Sequence, residues 1–412
     1  MNKIITLISA LCLSAITYAQ MYPIGHMSIN FNDATRATGG YTISGGVMMP
    51  GTGRTIGTEV YYPAVSAGNN VAVASGTFPI VVIGHGFVMT YDNYDNIYNA
   101  LAAKGYIVAL PRTEGSTSPV HSDFGQDLRF LTSQLLALNT TSTPSAVAVF
   151  NGKVGAKTAI GGHSMGGGCS FLAAANNTTL TCLFNLAAAN SNTAAVSSIQ
   201  SASMVTVPTL VIGGQRDCVA DTAANQNLMY TNAASAIKFK VILKDLTHCD
   251  FGNGTSSTCT FGQGFSGCGN TISNVSALNR YMTYVEPFLA KLLKNDCAKG
   301  QQFMDTIQAS STVRVGRRIQ GSLACVATSV NQLENENTVS VFPNPTTQLL
   351  YVICSAKKAQ LSVTTILGEE IAIDYLTTVT GFTLDVQNLN KGVYFINVFS
   401  ENKVKTEKFI KM

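Results

Sequence analysis

From Thr77 onward the chain alternates short β-branched runs with longer amphipathic ones, and this alternation restricts the possible fold more than any other property of the sequence. Phe78 to Gly84, Ile107 to Leu110, Thr158 to Gly162, Cys182 to Leu186, Thr209 to Gly213 and Phe239 to Leu243 read as strands. Between them Tyr94 to Lys104, Ser122 to Leu138 and a segment from Met165 read as helices, the second with Phe124, Leu128, Leu131 and Leu135 on one face. A last helix is expected over roughly Val275 to Leu293. Helical crossovers join parallel strands, and strands flanked by helices are buried on both faces. The expected fold is therefore α/β, a doubly wound and mostly parallel sheet.

The 412 residues exceed what one hydrophobic core usually holds. After Cys325 the texture changes: Asn331 to Thr338 is polar and aperiodic, and Val339 to Met412 holds short alternating strands broken by turn residues. At the other end Lys3 precedes an apolar run from Ile4 to Ile16 and the small-x-small site Thr17-Tyr18-Ala19, the pattern of a secretory signal. That run is too short to span a bilayer. The expected organisation is a signal peptide over 1–19, a catalytic domain over 20–326, a linker over 327–338 and a small all-β sandwich over 339–412. With 26 basic against 22 acidic residues the net charge is only +4, which argues against a nucleic-acid partner. Ten cysteines in an exported chain suggest disulfides.

Gly162-His163-Ser164-Met165-Gly166-Gly167-Gly168 ends one predicted strand and opens one predicted helix. That context gives a G-x-S-x-G match its meaning, because the nucleophile sits on a turn too tight for flanking side chains. A serine hydroxyl needs a base within hydrogen-bond reach, and the base needs an orienting carboxylate. In this context the order along the chain is serine, acid, histidine. Of His26, His85, His121, His163 and His248, only His248 follows Ser164. The carboxylates between them are Asp217, Asp221 and Asp245, and Asp217 is favoured because it follows the strand Thr209 to Gly213 and a short turn, at the sheet edge where sites form, whereas Asp221 falls one helical turn later and Asp245 only three residues before the histidine. The oxyanion donors are expected to be the backbone N–H of Met165 and that of Phe87 in the loop after Gly84. The side chains of both are expected to wall the cleft, with Tyr91 as a further candidate, and His85 to order its loop by packing.

Ile80 to Phe87, the Gly162 to Gly168 turn, Thr209 to Gly213 before Asp217, and Leu246-Thr247-His248 together resemble the bacterial cutinase and polyester hydrolase (PET hydrolase-like) branch of the α/β-hydrolases. Arg54 to Ala64 is similar to that family's entry strand, and the likeness covers about residues 22 to 310. It implies a secreted, monomeric serine esterase with an open cleft for polyesters, working without cofactor or metal. A lipase or short-chain esterase, or a non-catalytic surface-binding protein on the same fold, are the alternatives. The chain departs from the family in having no Trp and in carrying Phe87 where Tyr is common. Val341-Phe342-Pro343-Asn344-Pro345, Leu389 to Val398 and the Lys405 to Lys411 end are similar to a type IX secretion sorting domain. This implies the secretion machinery as partner and export through the periplasm and outer membrane.

Cys218 follows Asp217 and Cys249 follows His248, so a Cys218–Cys249 bridge is expected to join the acid and base loops. Cys259 with Cys268, Cys297 with Cys325, and Cys169 with Cys182 are the other expected pairs. A metal site at His248 and Cys249 lacks any C-x-x-C partner.

Overall fold

The computed structural model describes residues 21–44, 47–142, 144–193, 196–269, 271–325, 339–354, 359–378, 381–400 and 403–412. The expected signal peptide and linker lie outside them. The chain divides into two compact units between Cys325 and Val326.

The first unit is built on one ten-stranded sheet. In chain order its elements are β1 (Ile24–Ser44), β2 (Val47–Pro63), β3 (Gly68–Asn69), β4 (Phe78–Gly84), α1 (Asp95–Ala102), β5 (Ile107–Pro111), α2 (His121–Ala137), β6 (Val154–His163), α3 (Met165–Ala174) and β7 (Cys182–Leu186). A separate short hairpin, β8 (Asn192–Thr193) and β9 (Val196–Ser197), precedes α4 (Ser198–Ala202), β10 (Thr209–Gly214), α5 (Gln226–Asn232) and β11 (Lys238–Leu243). The unit ends with α6 (Ser257–Phe265), α7 (Asn274–Lys294), α8 (Cys297–Gln308) and β12 (Arg314–Gln320). The sheet runs β12-β11-β10-β7-β6-β4-β5-β2-β1-β3. From β11 to β5 all neighbours are parallel, as the strand and helix alternation requires, whereas the β1–β2 hairpin and β12 pair antiparallel at the two sides.

Burial on both faces shows in β4, where every residue is buried. Ile80 and Val82 pack with Phe124, Leu128, Leu131 and Phe171 from α2 and α3. Val81 and Ile83 pack on the other face with residues of α1, α7 and α8, among them Leu101, Phe288 and Phe303. Strand side chains alternate between faces, so one apolar run feeds two cores. The β1–β2 hairpin is tied to α2 through charge: Asp127, fully buried, accepts hydrogen bonds from Arg54 Nε and Nη2 at 2.8 and 2.7 Å and from Thr113 Oγ1 at 2.6 Å. A bidentate guanidinium–carboxylate pair satisfies a charge that would be costly to bury alone.

The second unit holds two four-stranded antiparallel sheets around Leu350, Val352, Val363, Leu384, Ile396 and Phe409. Leu349–Cys354 alternates exposed and buried residues along its whole length, the period of a strand with one face in a core. Of the adjacent aromatics, Tyr394 is buried and its hydroxyl donates to the Asn390 carbonyl at 2.8 Å, while Phe395 is half-buried.

The disulfides correct three of the four expected pairings. Cys218 pairs with Cys268 and Cys249 with Cys259, so neither Cys218–Cys249 nor Cys259–Cys268 forms. The acid and base loops are each bound to α6 or its C-terminal turn instead of to one another. Cys297–Cys325 forms as expected. Cys169 and Cys182 are unpaired, because one lies in α3 and the other in β7, in separate cores on opposite faces of the sheet. Burial pushes the Cys169 thiol up to about 12. Alkylation of the native protein should therefore leave Cys169, Cys182 and Cys354 unmodified, and, of the nine cysteines among the described residues, unfolding without reductant should expose these three alone. Peptide mapping checks this, and recovery of a Cys218–Cys249 peptide would contradict it.

Candidate active site

β6 delivers the chain into Ser164 with φ +53° and ψ −120°, a strained conformation for a residue with a Cβ. The surrounding hydrogen bonds enforce it. Ser164 N–H donates to the Leu186 carbonyl at 3.1 Å, and its own carbonyl accepts from Gly168 and Ala189 N–H. The turn also requires its glycines: a Cβ on Gly166 would stand 2.2 Å from the Gly84 carbonyl carbon, and one on Gly162 would stand 2.4 Å from the Gly166 carbonyl carbon.

The structure brings Ser164, His248 and Asp217 together at the C-terminal edge of the parallel strands. Ser164 Oγ donates to His248 Nε2 at 2.8 Å, and His248 Nδ1 donates to Asp217 Oδ2 at 2.9 Å. All three side chains are buried. The second carboxylate oxygen, Asp217 Oδ1, accepts from the N–H groups of Val219 and Ala220, which locks the acid in place. Asp221 is exposed and caps the turn that follows it, accepting from the N–H groups of Ala223 and Ala224, and Asp245 occupies a left-handed turn at φ +63°. Asp250, which sequence reasoning missed, shapes the base loop: its Oδ2 accepts from Thr247 N–H and Oγ1, each at 2.7 Å, and its Oδ1 from Ile272 N–H. Burial raises its pKa, and these hydrogen bonds oppose the rise.

Phe87 and Met165 are the two positions expected to supply oxyanion donors. Among the described residues neither N–H donates to a protein acceptor. Met165 is also the first residue of α3, where N–H groups have no intrahelical partner and the helix dipole favours negative charge. A buried polar chain fixes this region. Gly86 N–H donates to Tyr94 Oη at 2.8 Å, Tyr94 O–H donates to His163 Nδ1 at 2.9 Å, and His163 Nε2 donates to the His248 carbonyl at 3.0 Å. It links the loop after Gly84, the Ser164 turn and the loop bearing His248. It needs a neutral His163, and burial, reinforced by the nearby His248, holds that ring well below the ordinary imidazole pKa against the opposing bond to the His248 carbonyl. His85, also buried, lies between the carbonyls of Gly86 and Thr113, in keeping with a loop-ordering residue.

A cavity of about 250 Å³ opens on Ser164 and His248, walled by Phe87, Met89, Val219 and Phe261. Two expected wall residues are elsewhere: Met165 is buried in the core beneath α3, and Tyr91 packs against the opposite core. Phe261 escaped sequence reasoning because it lies in a stretch rich in Gly, Ser and Thr, and the disulfide framework that places it was paired differently. A larger cavity of about 430 Å³ between β1 and the C-terminal end of α2 shares no residue with this one and has no acidic or basic side chain in its lining.

A mostly parallel sheet with a strained serine at a strand-to-helix turn, hydrogen-bonded to a histidine that follows it in the chain, defines an α/β-hydrolase. The chain belongs to the PET hydrolase-like family, whose model matches residues 27–281. Residues 340–412 match the secretion system C-terminal sorting domain, which marks the chain for export to the cell surface or beyond. Over 205 residues the chain is 28% identical to a bis(hydroxyethyl) terephthalate hydrolase of Streptomyces coelicolor, a match covering 49% of this chain and 57% of that protein. The chain thus spans little more than half the length of that relative.

Tyr94→Phe would leave the Gly86 N–H without its acceptor and His163 Nδ1 without its donor, both buried. We expect urea unfolding to show a loss of about 1–3 kcal/mol. An unchanged midpoint would remove the network from the account of this site.

Proposed function

We propose that the protein is a secreted serine hydrolase of carboxylic esters, with polyesters as its substrate class. The observation that carries the reading is the 2.8 Å bond from Ser164 Oγ to His248 Nε2 at a strained turn flanked by two unengaged N–H groups. Ser164 Oγ attacks the ester carbonyl carbon while His248 Nε2 takes the hydroxyl proton. Asp217 holds the His248 tautomer and stabilises the imidazolium that forms. The N–H groups of Phe87 and Met165 receive the negative charge developing on the carbonyl oxygen. The tetrahedral adduct expels the alkoxide, which takes the proton from His248, and leaves an acyl-Ser164. Water, deprotonated by His248, then attacks the acyl carbon, releasing the acid and restoring Ser164. The family membership and the terephthalate-ester hydrolase relative support esters of apolar acids. The export domain supports a substrate outside the cell.

Ser164→Ala should lower kcat/KM on p-nitrophenyl butyrate by at least roughly 10³-fold and abolish labelling by a fluorophosphonate. Undiminished turnover by this variant would sink the mechanism. Asp217→Asn, which preserves shape but not the histidine tautomer, should cost on the order of 10³–10⁴ in kcat.

A further inference from the structure

Helix α6 carries the two most exposed large apolar side chains among the described residues of the first unit, Phe261 at 76% and Phe265 at 89%. Residues four apart in a helix share a face. An ordinary surface helix turns its apolar face to the core, whereas the buried residue of α6 is Gln263. Its sequence does not favour a helix either, since Gly262 and Gly264 each cost about 1 kcal/mol relative to Ala.

Other attachments hold it. Cys259, within the helix, is bonded to Cys249 beside His248, and Cys268, three residues past its end, is bonded to Cys218 beside Asp217. Ser256 Oγ caps its first turn through Cys259 N–H at 3.1 Å, and Gln263 Oε1 accepts from Cys249 N–H at 2.8 Å. An apolar face is thus fixed, outward, beside the acid and the base. Phe261 also walls the cavity at Ser164 together with the partly exposed Phe87 and Val219, so the apolar surface runs from the reacting hydroxyl outward to Phe265.

We infer that α6 is an adsorption platform on which an apolar polyester chain with aromatic units lies while one of its esters reaches Ser164. This rests on the ester hydrolase reading above and names how its substrate is held. Three features favour this occupant. Phe265 lies outside the cavity lining, so only a substrate longer than the roughly 250 Å³ cavity touches it. His248 is the lone titratable side chain in that lining, so the cavity itself offers an acidic or basic partner no fixed counter-charge. A second folded copy seated on the platform would cover the mouth of the cavity at Phe261 and block the serine.

The test uses the full mature chain carrying Ser164→Ala, so that adsorption is read without turnover. Binding isotherms on amorphous poly(ethylene terephthalate) powder are compared for this protein and for versions adding Phe261→Ala with Phe265→Ala, Phe261→Tyr with Phe265→Tyr, or Val65→Ala. Val65, 63% exposed, is the apolar control: it follows β2, which runs antiparallel to β5, and so lies at the sheet edge opposite the triad. The double alanine variant should weaken adsorption roughly fivefold or more, with the double tyrosine and Val65→Ala versions unchanged. Equal adsorption by the double alanine and Val65→Ala versions would overturn the proposal. So would sedimentation showing a dimer that the double alanine change dissociates, which would assign the face to a second copy. Circular dichroism and Tm verify that each variant is folded. A failed triad leaves the isotherms standing, and a failed platform leaves the Ser164→Ala turnover result standing.

Discussion

The contact on which the site depends is the one between Gly166 in the first turn of α3 and the end of β4 at Gly84, where a single Cβ would collide with a carbonyl. This approach lets α3 start directly beneath β4, so the helix N-terminus and the loop after Gly84 converge on one point. It also forces the reversal of direction into Ser164, which absorbs it with φ +53°. The cost of that backbone state is met by the hydrogen bond that Ser164 N–H donates to the Leu186 carbonyl, by those that its own carbonyl accepts from Gly168 and Ala189 N–H, and by the burial of Phe171, Ala173 and Ala174 of α3 in the core. Strain of this kind persists only where surrounding structure over-determines it.

The loops above the sheet are held differently from the sheet itself. The strands owe their order to apolar burial on two faces, while the loops bearing Phe87, Asp217 and His248 have little core of their own and are joined by specific polar and covalent links. Tyr94 and His163 connect three of the converging segments without exposing a charge. In the loop-entropy picture, closing a loop of 10 residues between Cys249 and Cys259 contributes about 3 kcal/mol, and one of 50 between Cys218 and Cys268 about 4 kcal/mol. Both links act on α6, which has little else to hold it. The cavity at Ser164 gains rigid walls this way without being roofed over.

The helix α2 was legible to within one residue at each end, because Phe124, Leu128, Leu131 and Leu135 repeat at helical spacing and all four are fully buried. Strand β4 was legible for a similar reason: an unbroken apolar run bounded by turn residues has few other fates. The geometry also joins Ser164, Asp217 and His248, the residues that chain order and elimination select. The β1–β2 hairpin was only partly visible, through the Arg54 to Ala64 segment, since its long twisted strands are anchored by Arg54 and Asp127, which lie 73 positions apart. The cysteine pairing failed because adjacency to interacting residues does not fix the direction of a side chain. Cys218 and Cys249 flank residues that touch, yet their sulfurs point to α6 instead of to each other.

What the sequence determined by itself is everything governed by local periodicity and by chain order: the parallel sheet, its crossover helices, the glycine-flanked serine turn, and the separate sandwich with its export signature. Hydrophobic spacing and backbone sterics act within a few residues of each position, so a single chain displays them directly. The tertiary structure alone decided which thiols meet, that Met165 serves the core and Phe261 the cavity, and that Tyr94 reaches His163 across 69 positions. Those choices depend on the directions in which side chains leave elements distant in sequence, and such directions exist only once the cores have packed.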